Sequence, residues 1–482
     1  MSRETLSCTL LVACFWAHPA FALNLNEYLA QVQSGNRGQI GAEKQAHSAQ
    51  LKWHEGNFLF VPSFFTEARF ASDGQPANPP FLTYNRIDSQ YYAAGLSQQF
   101  SFGLQGKLYY LLSHTNYVNA PLLTGNTGDF WDTRPVLELS MPLWNNGFGR
   151  AVRAQQQSIQ DANRIEEYNA KSLFLSSLVD AENAYWGLVV SREILRTQKV
   201  ALDYANSILD YVRKKARMRL GDDSDILQAE ALVAARKLEL NRAETEEQVA
   251  RKGFNAMRGV VSDEVTELLD LIPYKALEAV AIPQERPGER YDVQAAHSQT
   301  SLASANSKIA VERTKPTLEL YSTYAMNGRG DSTSNAISNL SGADRSTKVI
   351  GIRFNVPLDL SAANKVRSGA LIAEEAQRDQ YEQKRVLQDR DWNALVQRLK
   401  DSKGALLLAD ELVRAQTKKL SSEQKRLKNG RTTTYQVLLF EQDRSQAELS
   451  RAQLAQQALD LRSRLKLYQT QNTDSPDKGK DL

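Results

Sequence analysis

Few residues of this sequence have the types and spacing that chemistry needs, and each candidate falls short. His47, His54, His114 and His297 lie on different segments with no Asp, Glu or Cys at ligand spacing, so they read as solvated or tunnel-facing side chains and not as a metal centre. Gly147-Phe148-Gly149 follows a strand-like segment and opens a helix, as a phosphate-cradling turn would. Val152, however, stands where the third small residue of a dinucleotide fingerprint belongs. Arg329-Gly330-Asp331 has the form of an adhesion tripeptide, a match short enough to arise by chance. The Lys214-Lys215 and Lys418-Lys419 pairs read as solvated helix ends. No nucleophile, base and orienting group converge, so no enzyme is expected and no cofactor is called for. The 2 cysteines, Cys8 and Cys14, both lie near the N-terminus, which leaves no thiol chemistry and no disulfide beyond it.

The elements say more. From Gly149 to Met218 one helical pattern runs without proline, with Phe174, Ala181, Leu188, Leu195, Leu202 and Leu209 recurring every seven residues. That spacing keeps one apolar seam turned toward a partner helix. Roughly seventy residues of helix would reach on the order of 100 Å, far beyond an ordinary globular helix. The pattern returns from Ala362 to Lys428, with Trp392, Leu399, Leu406, Val413, Leu420 and Leu427, at a constant offset of about 211 residues. Such an offset marks a duplication. Each long helix is followed by a glycine turn and a returning helix.

Each long helix is also preceded by alternating strand-like segments ending in Pro-Leu, Leu137 to Leu143 and Ile352 to Leu358. In both, apolar side chains fall on one face, with Glu138, Ser140, Arg353 and Asn355 on the other. A barrel wall with lipid outside and water inside would read this way, and so would a half-buried soluble sheet. The first half offers four strands, Phe58 to Ser72, Tyr91 to Phe102, Lys107 to Tyr117 and Pro135 to Leu143; the second offers Thr317 to Met326 and Val349 to Val356. Leu25 to Glu55 reads as helix. The expected organisation is a signal peptide over 1–22, a first repeat over 23–270 (strands 58–143, helix hairpin 149–258) and a proline-rich connector over 271–288. A second repeat over 289–470 follows (strands 317–356, helix hairpin 362–470), with a disordered tail over 471–482.

The net charge of +3 gives no reason to expect nucleic acid. Beyond the N-terminus no run of about eighteen apolar residues occurs, so any segment entering a bilayer must do so as strands. The N-terminus itself has Arg3, an apolar core from Leu6 to Trp16 and Ala20-Phe21-Ala22, the form of an export signal cleaved after Ala22. Leu11-Val12-Ala13-Cys14 offers a rival, lipidation at Cys14.

Taken in order, several stretches give the chain a family likeness. They are Ala184-Tyr185-Trp186-Gly187-Leu188, Arg219-Leu220-Gly221 with Ser224 to Glu230, Arg290-Tyr291-Asp292-Val293, Lys315-Pro316-Thr317-Leu318 and Asn355-Val356-Pro357-Leu358. The sequence resembles the TolC-like outer membrane efflux proteins over about residues 23 to 470. Tyr291 departs from the family's usual proline. The resemblance implies a mostly α fold with a membrane β-barrel: a duplicated unit of strands and long helix hairpin, assembled as a homotrimeric barrel on an α-helical periplasmic tunnel. It implies an outer membrane channel for efflux or type I secretion, partnered by a periplasmic adaptor, an inner-membrane transporter and outer membrane lipid. A periplasmic coiled-coil adaptor is the alternative. Docking is expected at the hairpin turns, on Arg219, Leu220, Gly221 and Ser224 and on Lys428, Gly430 and Arg431. Gln436 and Leu439 stand where some members carry gating acids, so Asp222, Asp223 and Asp225 are expected to supply any carboxylate ring. If Tyr91 to Tyr117 joins the wall, each chain supplies six strands and the barrel about eighteen; if it stays outside, four strands give about twelve, the count the resemblance implies and the one expected.

Overall fold

The structure is a computed structural model that describes residues 22–76, 84–120, 128–219, 222–341 and 345–469. Residues 1–21, with Cys8, Cys14 and most of the expected signal peptide, Leu220 and Gly221 of the first turn, and the tail 471–482 lie outside the described residues. In chain order the elements are β1 (Ala22–Leu23), α1 (Leu25–Gly35), α2 (Arg37–Lys52), β2 (Ser63–Asp73), β3 (Arg86–Gln99), β4 (Gln105–Val118) and β5 (Asp129–Pro142). Then come α3 (Arg150–Arg217), α4 (Asp223–Met257), β6 (Leu268–Leu269), α5 (Tyr274–Glu278) and α6 (Tyr291–Arg313). The chain ends with β7 (Thr317–Met326), β8 (Gly328–Gly330), α7 (Thr333–Ser338), β9 (Ser346–Asn355), α8 (Leu360–Lys428) and α9 (Thr434–Arg464).

The two long helices are 68 and 69 residues. On α8 the seven-residue line is the buried line: Trp392, Leu399, Leu406, Val413 and Leu420 are all buried. On α3 the line drifts. Ala181, Leu188 and Leu209 are buried, Leu195 and Leu202 only partly, and Ala201, Ala205, Ile208 and Val212 take over. A straight helix at 3.6 residues per turn slips relative to a seven-residue repeat, and α3 follows the helix. The single helix expected over Leu25 to Glu55 is broken at Asn36. Its side-chain oxygen accepts from the backbone N–H of Gly38 (2.8 Å) and Gln39 (3.2 Å), capping α2, while its amide donates to the carbonyl of Met257.

The chain divides into two compact units. One holds residues up to 43 with 172–290 and from 389 onward. In it β1 pairs in parallel with β6. Tyr28 stacks on Phe254 at 4.2 Å between centroids, and Tyr185, from the Ala184-to-Leu188 motif, donates its hydroxyl to the Leu23 carbonyl at 2.8 Å. Burial raises both phenols above their ordinary value. The proline-rich connector is not a bare linker: Ile272 and Leu277 are buried in this core beside Tyr28 and Tyr185.

The other unit holds 44–171 and 291–388. Its centre is one antiparallel sheet in the order β2-β3-β4-β5-β7-β9, with β8 beside β5. The expectation that Tyr91 to Tyr117 stays outside is therefore corrected, because β3 and β4 pair along 14 residues with each other and separate β2 from β5. Periodicity cannot distinguish a hairpin within a sheet from one beside it. The sequence reading also passed over β8 and α7, which occupy part of the loop between β7 and β9.

Candidate functional site: an amphipathic sheet and two helix turns

Directly opposed residues of neighbouring strands share a face. Phe64 pairs with Leu96, Leu96 with Leu108, Leu108 with Leu137, and Leu137 with Tyr324, one apolar row across five strands. All of it is open, at 69%, 51%, 57%, 38% and 43% exposure respectively. The same face carries Phe70 on β2 and Ile350, Ile352 and Phe354 on β9, also exposed. A water-facing sheet would place polar residues here. Transfer of this surface out of water stabilises by about 25 cal/mol for each Å² removed.

The opposite face is polar. Lys107 stands directly across from Glu138, which also accepts from the Tyr109 hydroxyl at 2.8 Å. Glu319 faces Arg353, with 3.1 Å between guanidinium and carboxylate. Arg329 of the supposed adhesion tripeptide makes a bidentate pair with Asp132 at 2.7 and 2.8 Å and lies over the Phe130 ring, so it is structural. On the face of the apolar row, His114 stacks on Trp131 at 4.5 Å and pairs with Asp129.

The glycine motif at the end of β5 makes a corner. Asn146 and Phe148 take left-handed conformations (φ 56° and 54°), which cost non-glycine residues of order 1–3 kcal/mol. Gly149 has φ +76° and lies so near the β3–β4 turn that a Cβ would fall 2.1 Å from the Ser101 carbonyl. Glu312, buried, holds this corner by accepting from the Asn146 N–H at 3.1 Å and pairing with Arg150 at 3.3 Å and Lys315 at 2.6 Å. The hairpin β3–β4 is thus seated against the strand-to-helix junction.

The two hairpin turns close one helical packet. Ile208 and Val212 of α3, Leu420 of α8 and Val437 and Leu438 of α9 share a core, against which Ile226 of α4 packs. At the first turn Arg219 itself takes the left-handed position (φ 58°) expected of a glycine. Asp222 caps α4 by accepting from the Ser224 N–H at 3.2 Å; Asp222, Asp223 and Ser224 are exposed and Asp225 partly so. At the second turn Gly430 does take φ +66°, Arg431 is exposed, and Thr433 caps α9 by accepting from the Gln436 N–H. Lys428 ends α8, and Leu439 is 38% exposed. Sequence reasoning missed what fixes this turn. Glu423, buried, pairs with Arg426 at 3.1 Å and accepts from the Thr432 hydroxyl, while Arg426 also donates to the Arg431 carbonyl. No group of acidic, histidine or cysteine side chains among the described residues is placed to hold a metal ion.

In the chain, the strands of a sheet apolar on one face and charged on the other lead into two long helix hairpins. No protein-family model matches the chain, and no curated protein does. Solved structures do. The outer-membrane channel OprN matches at 18% identity over 92% of this chain and 89% of its own, with TM-score 0.63. The outer membrane protein VceC of Vibrio cholerae matches at 14% identity over 92% and 95%, with TM-score 0.61. The open-state MtrE outer membrane channel of Neisseria gonorrhoeae matches at 16% over 92% and 88%, with TM-score 0.58. This chain has the TolC-like outer membrane channel fold.

Proposed function

We propose that the protein is the outer membrane channel of a tripartite efflux or type I secretion system. It would be a passive duct handed small molecules or proteins by an inner-membrane transporter through a periplasmic adaptor. The observation that carries this reading is the open apolar row from Phe64 to Tyr324 backed by a charged face. Lipid would cover the first and water fill the second. No helix among the described residues is long and apolar enough to cross a membrane, so the strands are the part of the described chain suited to a bilayer. Open strand edges are not tolerated in lipid, so copies must share one wall, and a homotrimer is the assembly we propose.

In this reading the two strand and hairpin blocks descend from one duplicated unit, and the N-terminal segment directs export. The turns, with Arg219, Ser224, Lys428, Gly430 and Arg431, receive the adaptor; Asp222, Asp223 and Asp225 line the periplasmic entrance. The protein catalyses no reaction. The test is fractionation and conductance. The chain should be recovered with the outer membrane as an oligomer that resists SDS until heated, and should give stepwise conductance in planar bilayers. Recovery in the soluble periplasm alone, without conductance, would overturn the reading in favour of an adaptor.

A further inference from the structure

Among the described residues the strand path starts at β2 and ends at β9, and each leaves one flank of backbone donors and acceptors without a strand. Building on the channel reading above, we infer that these flanks join between copies: β9 of one copy pairs antiparallel with β2 of the next, Asn355 opposite Ser63 and Ser346 opposite Ser72. Each copy then supplies six strands, and three copies close an eighteen-stranded wall, not one of twelve.

Direction comes first. All neighbours in the path are antiparallel, so β9 runs opposite to β2 and the closing pair continues the alternation. Length agrees, since the edges have 11 and 10 residues. Face restricts the register further. Apolar side chains stay together only when Phe64 meets an even-numbered residue of β9, because Ile350, Ile352 and Phe354 point with it and Arg353 does not. Among such registers, only the one opposing Phe64 and Phe354 pairs every residue of β9. It also places Thr66 opposite Ile352 and Ala68 opposite Ile350. On the polar face Glu67 falls diagonal to Arg353, within reach of a complementary charge.

The stagger is an independent check. Straight across the sheet the level of Phe64 arrives at Lys348. Closure at Phe354 shifts the path by about six residues over six strands, and with a rise near 3.3 Å and a strand spacing near 4.8 Å this is a tilt of about 35°. Closed membrane barrels tilt by roughly 35–45°. A stagger of four would tilt strands by only about 25° and leave part of each edge open. The seating of the β3–β4 turn against Gly149 supports the same count, because the extra hairpin is keyed into the corner where the wall meets the helix.

The test is a cysteine pair. The native cysteines, Cys8 and Cys14, lie far from either edge in sequence. Thr66→Cys with Ile352→Cys, oxidised in the membrane, should give a ladder on denaturing gels that ends at three copies. Thr66→Cys with Lys348→Cys should stay monomeric. A conducting channel in which the first pair fails, or the second pair links instead, overturns the register and leaves the channel reading standing. A ladder ending at another number overturns the eighteen-strand count. Linking at the first pair in a protein that never conducts overturns the channel reading and leaves the edge pairing.

Discussion

Glu441 shows how a single residue can decide between attraction and desolvation. It is fully buried, with Arg236 at 3.2 Å and Arg444 at 3.6 Å. Burial nevertheless lifts its carboxyl above the usual 4.5, against the pull of both guanidinium groups. A raised folded-state pKa means that the folded chain binds the proton more readily than the unfolded one. Its stabilising contribution is therefore full below pH 4.5 and is lost as pH rises through the raised value. Glu441→Gln should stay within about 1 kcal/mol of wild type at neutral pH and remove this decline, whereas Arg236→Met, which strands the carboxylate, should cost about 3 kcal/mol or more. Thermal loss of helical circular dichroism across acid to neutral pH measures both, and equal losses would make the ionised pair a net stabiliser. The exposed aspartates call for a different assay. Asn keeps the cap at 222, so changing Asp222, Asp223 and Asp225 together to Asn removes charge with little change in fold. In planar bilayers the triple variant should lose cation selectivity and block by multivalent cations. Wild-type behaviour there, with conductance altered by Asp443→Asn, would move the ring to the second hairpin.

At the scale of elements, the long helices were legible because their signal is redundant. Some seventy residues without proline, repeated about 211 residues later, leave little else for Leu188 to Leu209 or Leu399 to Leu420 to do. The six long strands were anticipated with ends up to six residues out: β5 begins at Asp129 and not Pro135, β3 at Arg86 and not Tyr91, and Phe58 to Phe60, expected in β2, belong to a helical turn before it. Adjacency was not. That β3 and β4 enter the sheet depends on Leu96 meeting Leu108 and Leu108 meeting Leu137, and local periodicity carries no record of partners. The break at Asn36 was missed because a polar side chain that ends one helix and caps the next looks like any polar helical residue. At the turns, Gly430 takes a left-handed conformation at φ +66°, and so does Arg219 at φ 58°, a strain that the sequence cannot announce. The Glu423–Arg426–Thr432 network was equally hidden, since its members lie three to nine residues apart across a turn.

For the whole molecule, the order of the sheet makes one deletion informative. Removing Arg86 to Val118 takes out β3 and β4 and leaves β2 beside β5, still antiparallel and with Phe64 and Leu137 still on one face. The shortened chain should still assemble. If three copies close the wall as inferred, its pore, narrowed by about a third in diameter, should conduct at roughly half the level of the full chain and exclude smaller neutral polymers. Unchanged conductance would mean that the hairpin does not set the width. Because a hairpin adds strands in pairs, it preserves both the up-down alternation and the inside-outside alternation, and it meets the long helix at the corner around Gly149, where Arg153 donates to the Ser101 carbonyl. On the channel reading proposed above, bore would change only in whole hairpins, and one duplication of some thirty residues would widen the wall while leaving the two helix turns as they are.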